Sequence, residues 1–185
     1  MLTMLLDYAN SFFRNQLPAV LLGAAAFLLL RFLLCRAGRL SRRSLPHEIG
    51  LALFALYLAA VLSLTFLPFR FAPAEGGFAF DSTLLAIAQG TYTAGSWVWA
   101  MMLGNVLMLL PFGFLVPLLW EALRGWRLLP VGLGFILAVE LLQPLTGRSF
   151  DIDDILLNFI GILAGALLSA LVQHLLPRQV AALRA

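Results

Sequence analysis

Between positions 140 and 158 the chain reads E-L-L-Q-P-L-T-G-R-S-F-D-I-D-D-I-L-L-N, and this stretch holds four of the nine carboxylates. Glu140 and Gln143 lie three residues apart, so on a helix they share a face and can share a hydrogen bond or a ligand. Asp151, Asp154 and Asn158 follow at i, i+3 and i+7, which places them on one face of a helix starting near Asp151, with Asp153 pointing elsewhere. Arg148 stands beside them and offers a planar donor fork to a phosphate or carboxylate. Together these side chains can hydrogen-bond a polar headgroup, and one carboxylate can act as a general base with Arg148 stabilising developing charge. The stretch has no His, and Asp with Asn would hold a divalent cation only with further oxygen ligands, so no metal and no cofactor are assigned. A structural reading stands next to each of these. Asp151 fits a helix N-cap, acidic residues in a first turn favour the helix dipole, and Glu140 can tie its helix to a neighbour through Asn105, Asn158 or Arg148.

The elements that must position these groups are apolar spans. Of 185 residues 62% are apolar and 11% charged, with a mean hydropathy of +0.98, whereas soluble domains are about 25% charged. A helix needs roughly 20 mainly apolar residues to cross a bilayer. Such runs lie near 17–35, 49–67, 97–120, 128–143 and 155–176, which predicts an all-α polytopic membrane protein with about five transmembrane helices. Residues 1–16 read as an N-terminal, interfacial segment, and 177–185 as a cytoplasmic tail. In the first span the basic residues follow the apolar run, the reverse of a signal peptide, so it reads as a retained anchor. Pro46 ends a basic connector after the first span, and Asp81 with Ser82 is placed to cap a short helix running through about Gln89.

The net charge of +3 comes from Arg alone, and the Arg residues sit between apolar runs. A nucleic-acid partner is therefore not expected. The single Cys35 excludes an internal disulfide and reads as a small apolar filler. With five spans, Arg36, Arg39, Arg42, Arg43, Arg124, Arg127, Arg178 and Arg184 fall on one side and Arg14, Arg70 and Arg148 on the other. Basic residues in short loops stay in the cytoplasm, which predicts the N-terminus outside, the C-terminus inside and the 147–154 turn facing outward. Arg31, inside the first span, can snorkel toward the cytoplasmic surface. In the third span Asn105 lies in the outer half with Met108 and Phe112 on its face, and Pro111 removes a backbone hydrogen bond. Beyond Asn158, Gly161, Gly165 and Ser169 continue the same face and would let another helix approach closely. Asn105, Glu140, Gln143, Arg148, the Asp cluster and Asn158 thus converge at or just below the outer interface.

These residues also carry a resemblance. N-V-L-M-L-L-P-F-G-F-L from Asn105, E-L-L-Q from Glu140 and G-R-S-F-D-I-D-D-I-L-L-N-F-I-G from Gly147, preceded by T-F-L-P-F from Thr65, resemble the VanZ-like family of bacterial integral membrane proteins over roughly 49–171. The resemblance implies Asn105, Pro111, Gly113, Glu140, Gln143, Arg148, Asp151, Asp153, Asp154, Asn158 and Gly161 as signature positions. It implies a multi-pass protein of the bacterial inner membrane with a role in the cell envelope, and the family's name comes from resistance to teicoplanin-type glycopeptides. The expected partners are membrane lipid and a lipid-tailed glycopeptide or lipid-linked cell-wall precursor, bound at the outward polar site. The alternative is a membrane enzyme that uses carboxylates and Arg148 on a lipid-linked substrate. His47 and His174 lie on the predicted inner side, and no membrane-embedded His or Cys nucleophile accompanies the site, which favours the non-enzymatic reading. A small transporter is a third reading that the buried Glu140 would fit.

The orientation is testable. In a Cys35→Ala background, Ser149→Cys should be labelled by a membrane-impermeant maleimide added outside intact cells; labelling only after lysis would reverse the topology.

Overall fold

The computed structural model describes residues 14, 16–41, 43–66, 82–146 and 150–184. Most of the 1–16 segment, Arg42, Arg70, Asp81 and Arg148 lie outside the described residues. Every regular element among the described residues is helical. Five helical segments are long and apolar enough to cross a membrane: Leu17–Arg36, Leu45–Phe66, Ser96–Leu119, Gly125–Thr146 and Ile152–Leu175. The protein is therefore an all-α, multi-pass membrane protein. It divides into two compact units, residues 1–70 with 182–185, and residues 71–181.

In the first unit α1 (Leu17–Arg36) packs on α2 (Leu45–Phe66). Small residues allow the approach, since a Cβ added to Gly23 would stand 3.3 Å from that of Ala59. The second helix starts a turn earlier than the expected 49, because a proline in the first turn has no hydrogen bond to lose and Pro46 is accommodated inside the helix. The earlier start brings Glu48 into the first turn of α2. Arg31 is paired: its Nε donates to Glu48 Oε2 at 2.7 Å and its Nη2 to Oε1 at 2.5 Å, a two-pronged ion pair. Such a fork satisfies a guanidinium in low dielectric better than a single contact does. The expected tail is helical, α7 (Pro177–Arg184). Its last carbonyls are capped within the first unit. Ser44 Oγ donates to Ala182 O at 2.8 Å, Arg43 Nη1 to Arg184 O at 3.0 Å, and His47 Nδ1 to Leu183 O at 3.0 Å.

In the second unit α3 (Thr83–Ala88) precedes α4 (Ser96–Leu119), which continues through Pro111 and Pro117. A short 3-10 link leads to α5 (Leu128–Leu142), another 3-10 turn covers Gln143–Thr146, and α6 (Ile152–Leu175) follows. The most extensive helix contact in this unit joins α4 and α6. Gly161 lies against the backbone of Val106, Gly165 against those of Leu110, Gly113 and Phe114, and Gly113 against Ile162. Contact positions rise together along both helices, so α4 and α6 run parallel. A Cβ at any of the three glycines would collide with backbone atoms of the facing helix, and Ser169 continues the face fully buried. Without a hydrophobic drive between helices in lipid, close backbone packing of this kind is what holds spans together. On α5 Gly132 meets the Ile162 side chain, and Phe135 stacks on Phe112 of α4 with ring centroids 5.1 Å apart.

Gly165→Ala should therefore destabilise the protein by about 2 kcal/mol or more, the usual cost of overpacking. Gly134→Ala, where an added Cβ meets nothing within 4 Å, should be neutral or slightly stabilising. Melting temperatures in one detergent decide it, and equal melting temperatures would exclude the close-packed seam.

Candidate functional site

The parallel course of α4 and α6 brings their N-terminal ends to the end of the bundle where α5 finishes. Asp151 is the N-cap of α6, its side chain accepting from the backbone N–H of Asp153 at 2.8 Å. This cap starts α6 at Ile152, a turn before the expected 155, and turns three carboxylates in different directions. Asp154 faces α4, where the side-chain nitrogen of Asn105 donates to its Oδ1. A carboxylate only accepts, so the amide of Asn105 is oriented by it and its own Oδ1 is left facing away. Asn158, one turn further on, is 3% exposed.

Asp153 points away from this face toward α3, as its position at i+2 from Asp151 requires. It is 5% exposed. Its Oδ1 accepts from Ser82 Oγ at 2.5 Å and its Oδ2 from the backbone N–H of Leu84 at 2.9 Å. Ser82 is itself the N-cap of α3, accepting from Leu85 N at 3.1 Å. One carboxylate thus joins the N-terminal turns of two helices and satisfies donors that a first turn leaves open.

Glu140 and Gln143 lie at the other wall. Gly132, Ile136 and Glu140 form a buried i, i+4, i+8 stripe on α5, and Glu140 is 1% exposed. Gln143 opens the 3-10 turn at 4% exposure, and Thr146 Oγ1 donates to its backbone carbonyl at 2.9 Å. Among the described residues its side-chain amide makes no hydrogen bond, and neither does Asn158 Oδ1. A buried acceptor left like Asn158 Oδ1 costs about 1–3 kcal/mol.

Between α3, α4 and the start of α6 lies an open cavity of about 790 Å³, within the roughly 300–1,000 Å³ of small-molecule sites. Asn105, Gln143, Asp151, Asp153 and Asp154 line it, five of the eight polar residues expected to converge. Glu140 and Asn158 are buried but do not line it, and Arg148 lies outside the described residues. Gly113, Gly161 and Gly165 serve the helix seam below, and Pro111 lies within α4. The apolar part of the wall includes Val98, Met101, Met102 and Leu157. Ser82, Thr83 and Tyr92 also line the cavity and were not singled out as ligand contacts. The Asp81–Ser82 capping pattern was the one signal for α3, and nothing local told that α3 would close a site. Among the described residues, no group of three His, Cys, Asp or Glu side chains is placed to hold a metal ion.

Asp153→Ala should release α3: backbone amides of 83–89 should exchange hydrogen at least about tenfold faster, matching loss of hydrogen bonds to a charged acceptor. Exchange in the α4–α6 seam should stay unchanged. Equal exchange in α3 would show that the clamp does not hold it.

Compared with known proteins, the chain matches the model of the VanZ/LLP1 family over residues 54–173. No curated protein and no solved structure matches it.

Proposed function

The chain belongs to the VanZ/LLP1 family, and from that premise we propose that it is a cell-envelope protein of the bacterial cell membrane that binds an amphiphile, the headgroup entering the polar cavity from the outer leaflet. The observation that carries this reading is the cavity itself, whose wall includes Asn105, Gln143 and three Asp residues together with apolar Val98, Met101, Met102 and Leu157. A wall so composed suits a molecule with a polar head and an apolar tail. The outward orientation rests on the Arg distribution.

Binding is favoured over catalysis by what the carboxylates already do. Asp151 caps α6, Asp153 clamps α3, and Asp154 orients Asn105. Groups held in such contacts are well suited to fix a site's shape. Glu140, buried behind the cavity at the end of α5, supports the wall that Gln143 completes. Arg148, which stands beside the Asp cluster in the sequence, is proposed as an accessory contact. Protection from lipid-tailed glycopeptides follows as the cellular consequence to test.

A sensitive Gram-positive host expressing the protein should become less susceptible to teicoplanin than to vancomycin. Asp154→Asn and Glu140→Gln, matched to wild type for membrane abundance, should lose the protection. Absence of protection by a well-inserted wild type would remove the resistance role, and unchanged protection in both variants would remove the cavity from it.

A further inference from the structure

We propose that the headgroup this cavity accepts carries an uncharged primary carboxamide, held by Gln143; the inference rests on the amphiphile-binding reading above and names its ligand class. The first ground is the state of Gln143. It lines the cavity at 4% exposure, and its side-chain amide has no hydrogen bond among the described residues. With protein covering its other sides, the cavity is where a partner can stand, and a buried amide without one favours a ligand that supplies it. The 3-10 turn that carries Gln143 is tied down by Thr146 Oγ1, which donates to the Gln143 backbone carbonyl at 2.9 Å.

The second ground is valence. A side-chain amide has two N–H donors and one carbonyl acceptor, so a ligand matched to Gln143 must both accept and donate. Asn105 lines the same cavity; its nitrogen donates to Asp154, and its Oδ1 has no partner among the described residues. Two carbonyl oxygens and one amide nitrogen are thus open. A primary carboxamide carries the complement. Its carbonyl and one N–H close a planar, two-bond pair with the Gln143 amide, and its second N–H is left for an acceptor such as Asn105 Oδ1. An ammonium has no acceptor for the Gln143 N–H groups, a phosphate dianion has no donor for either carbonyl, and a single hydroxyl has one donor for two acceptors. Asp151, Asp153 and Asp154 already accept from protein donors. Thr83 and Tyr92 add hydroxyls that donate or accept as needed, so the fixed senses of the two amides decide the match.

The test uses the full chain in phosphatidylcholine nanodiscs with 13C-methyl methionine, because Met101 and Met102 line the cavity while Met108 does not. Octanamide, N,N-dimethyloctanamide, octylamine, octyl phosphate and octyl glucoside are titrated at pH 7, where an alkylamine is protonated. The dimethyl compound keeps the carbonyl and loses both N–H donors, so it isolates the paired bond. Octanamide should shift the Met101 and Met102 signals saturably, leave Met108 unmoved, and bind at least about tenfold more tightly than the other four, since a buried polar site rejects analogues that leave it unpaired. Gln143→Leu should weaken octanamide by about tenfold and leave dimethyloctanamide unchanged, with the wild-type methyl spectrum retained. Equal or tighter binding of any of the other four to the wild type would overturn the carboxamide and leave the amphiphile reading standing. Undiminished octanamide binding by Gln143→Leu would overturn it as well. Failure of all five to move the cavity methionines would overturn both readings. The comparison of headgroups on the wild type needs no variant to fold.

Discussion

The contact between the backbones of α4 and α6 is the constraint on which the second unit depends. In lipid, apolar side chains gain little by touching each other instead of acyl tails, so helices associate where shape lets main chains come close. Gly113, Gly161 and Gly165 provide that shape, and Ser169 extends it. Once α4 and α6 are seated in this register, Asn105 and Asp154 meet without further adjustment. The polar cavity is thus a product of the glycine seam. Its outer wall is α3, which contributes no buried residue of its own and depends on Asp153 for its place.

The first unit uses a different device. Its two helices meet at small residues, but the specific contact is the Arg31–Glu48 fork. Each charge alone in the membrane would cost about 2.5–3.5 kcal/mol on insertion scales. Paired with two hydrogen bonds they satisfy one another, and Arg43 N adds a third contact to Glu48 at 3.2 Å. Arg43, Ser44 and His47 then cap the carbonyls of 182–184. Charge and capping thus do at this end what glycine does in the second unit.

How much could be read in advance follows from how local each cause is. The five apolar runs were legible because length and hydropathy alone specify a span. The Gly161, Gly165 and Ser169 face was legible from its spacing of four, although the partner helix was not. Asp151 as a cap was visible in the acidic first turn. The partner of Asp153 was not, because Ser82 lies 71 positions away and no periodicity links them. The Arg31–Glu48 fork was not legible either, because the second span was expected to begin at 49 and Glu48 stands in the first turn of a helix that starts at Leu45.

The clamp made by Asp153 also bears on the order in which the protein is made. Ser82 and Asn105 are synthesised and inserted well before Asp153 and Asp154, their partners across 71 and 49 positions. Until α6 emerges, α4 enters the bilayer with an unsatisfied amide and α3 has no anchor. The last long span is therefore the keystone of biogenesis: its arrival converts a partly inserted intermediate into the finished cavity.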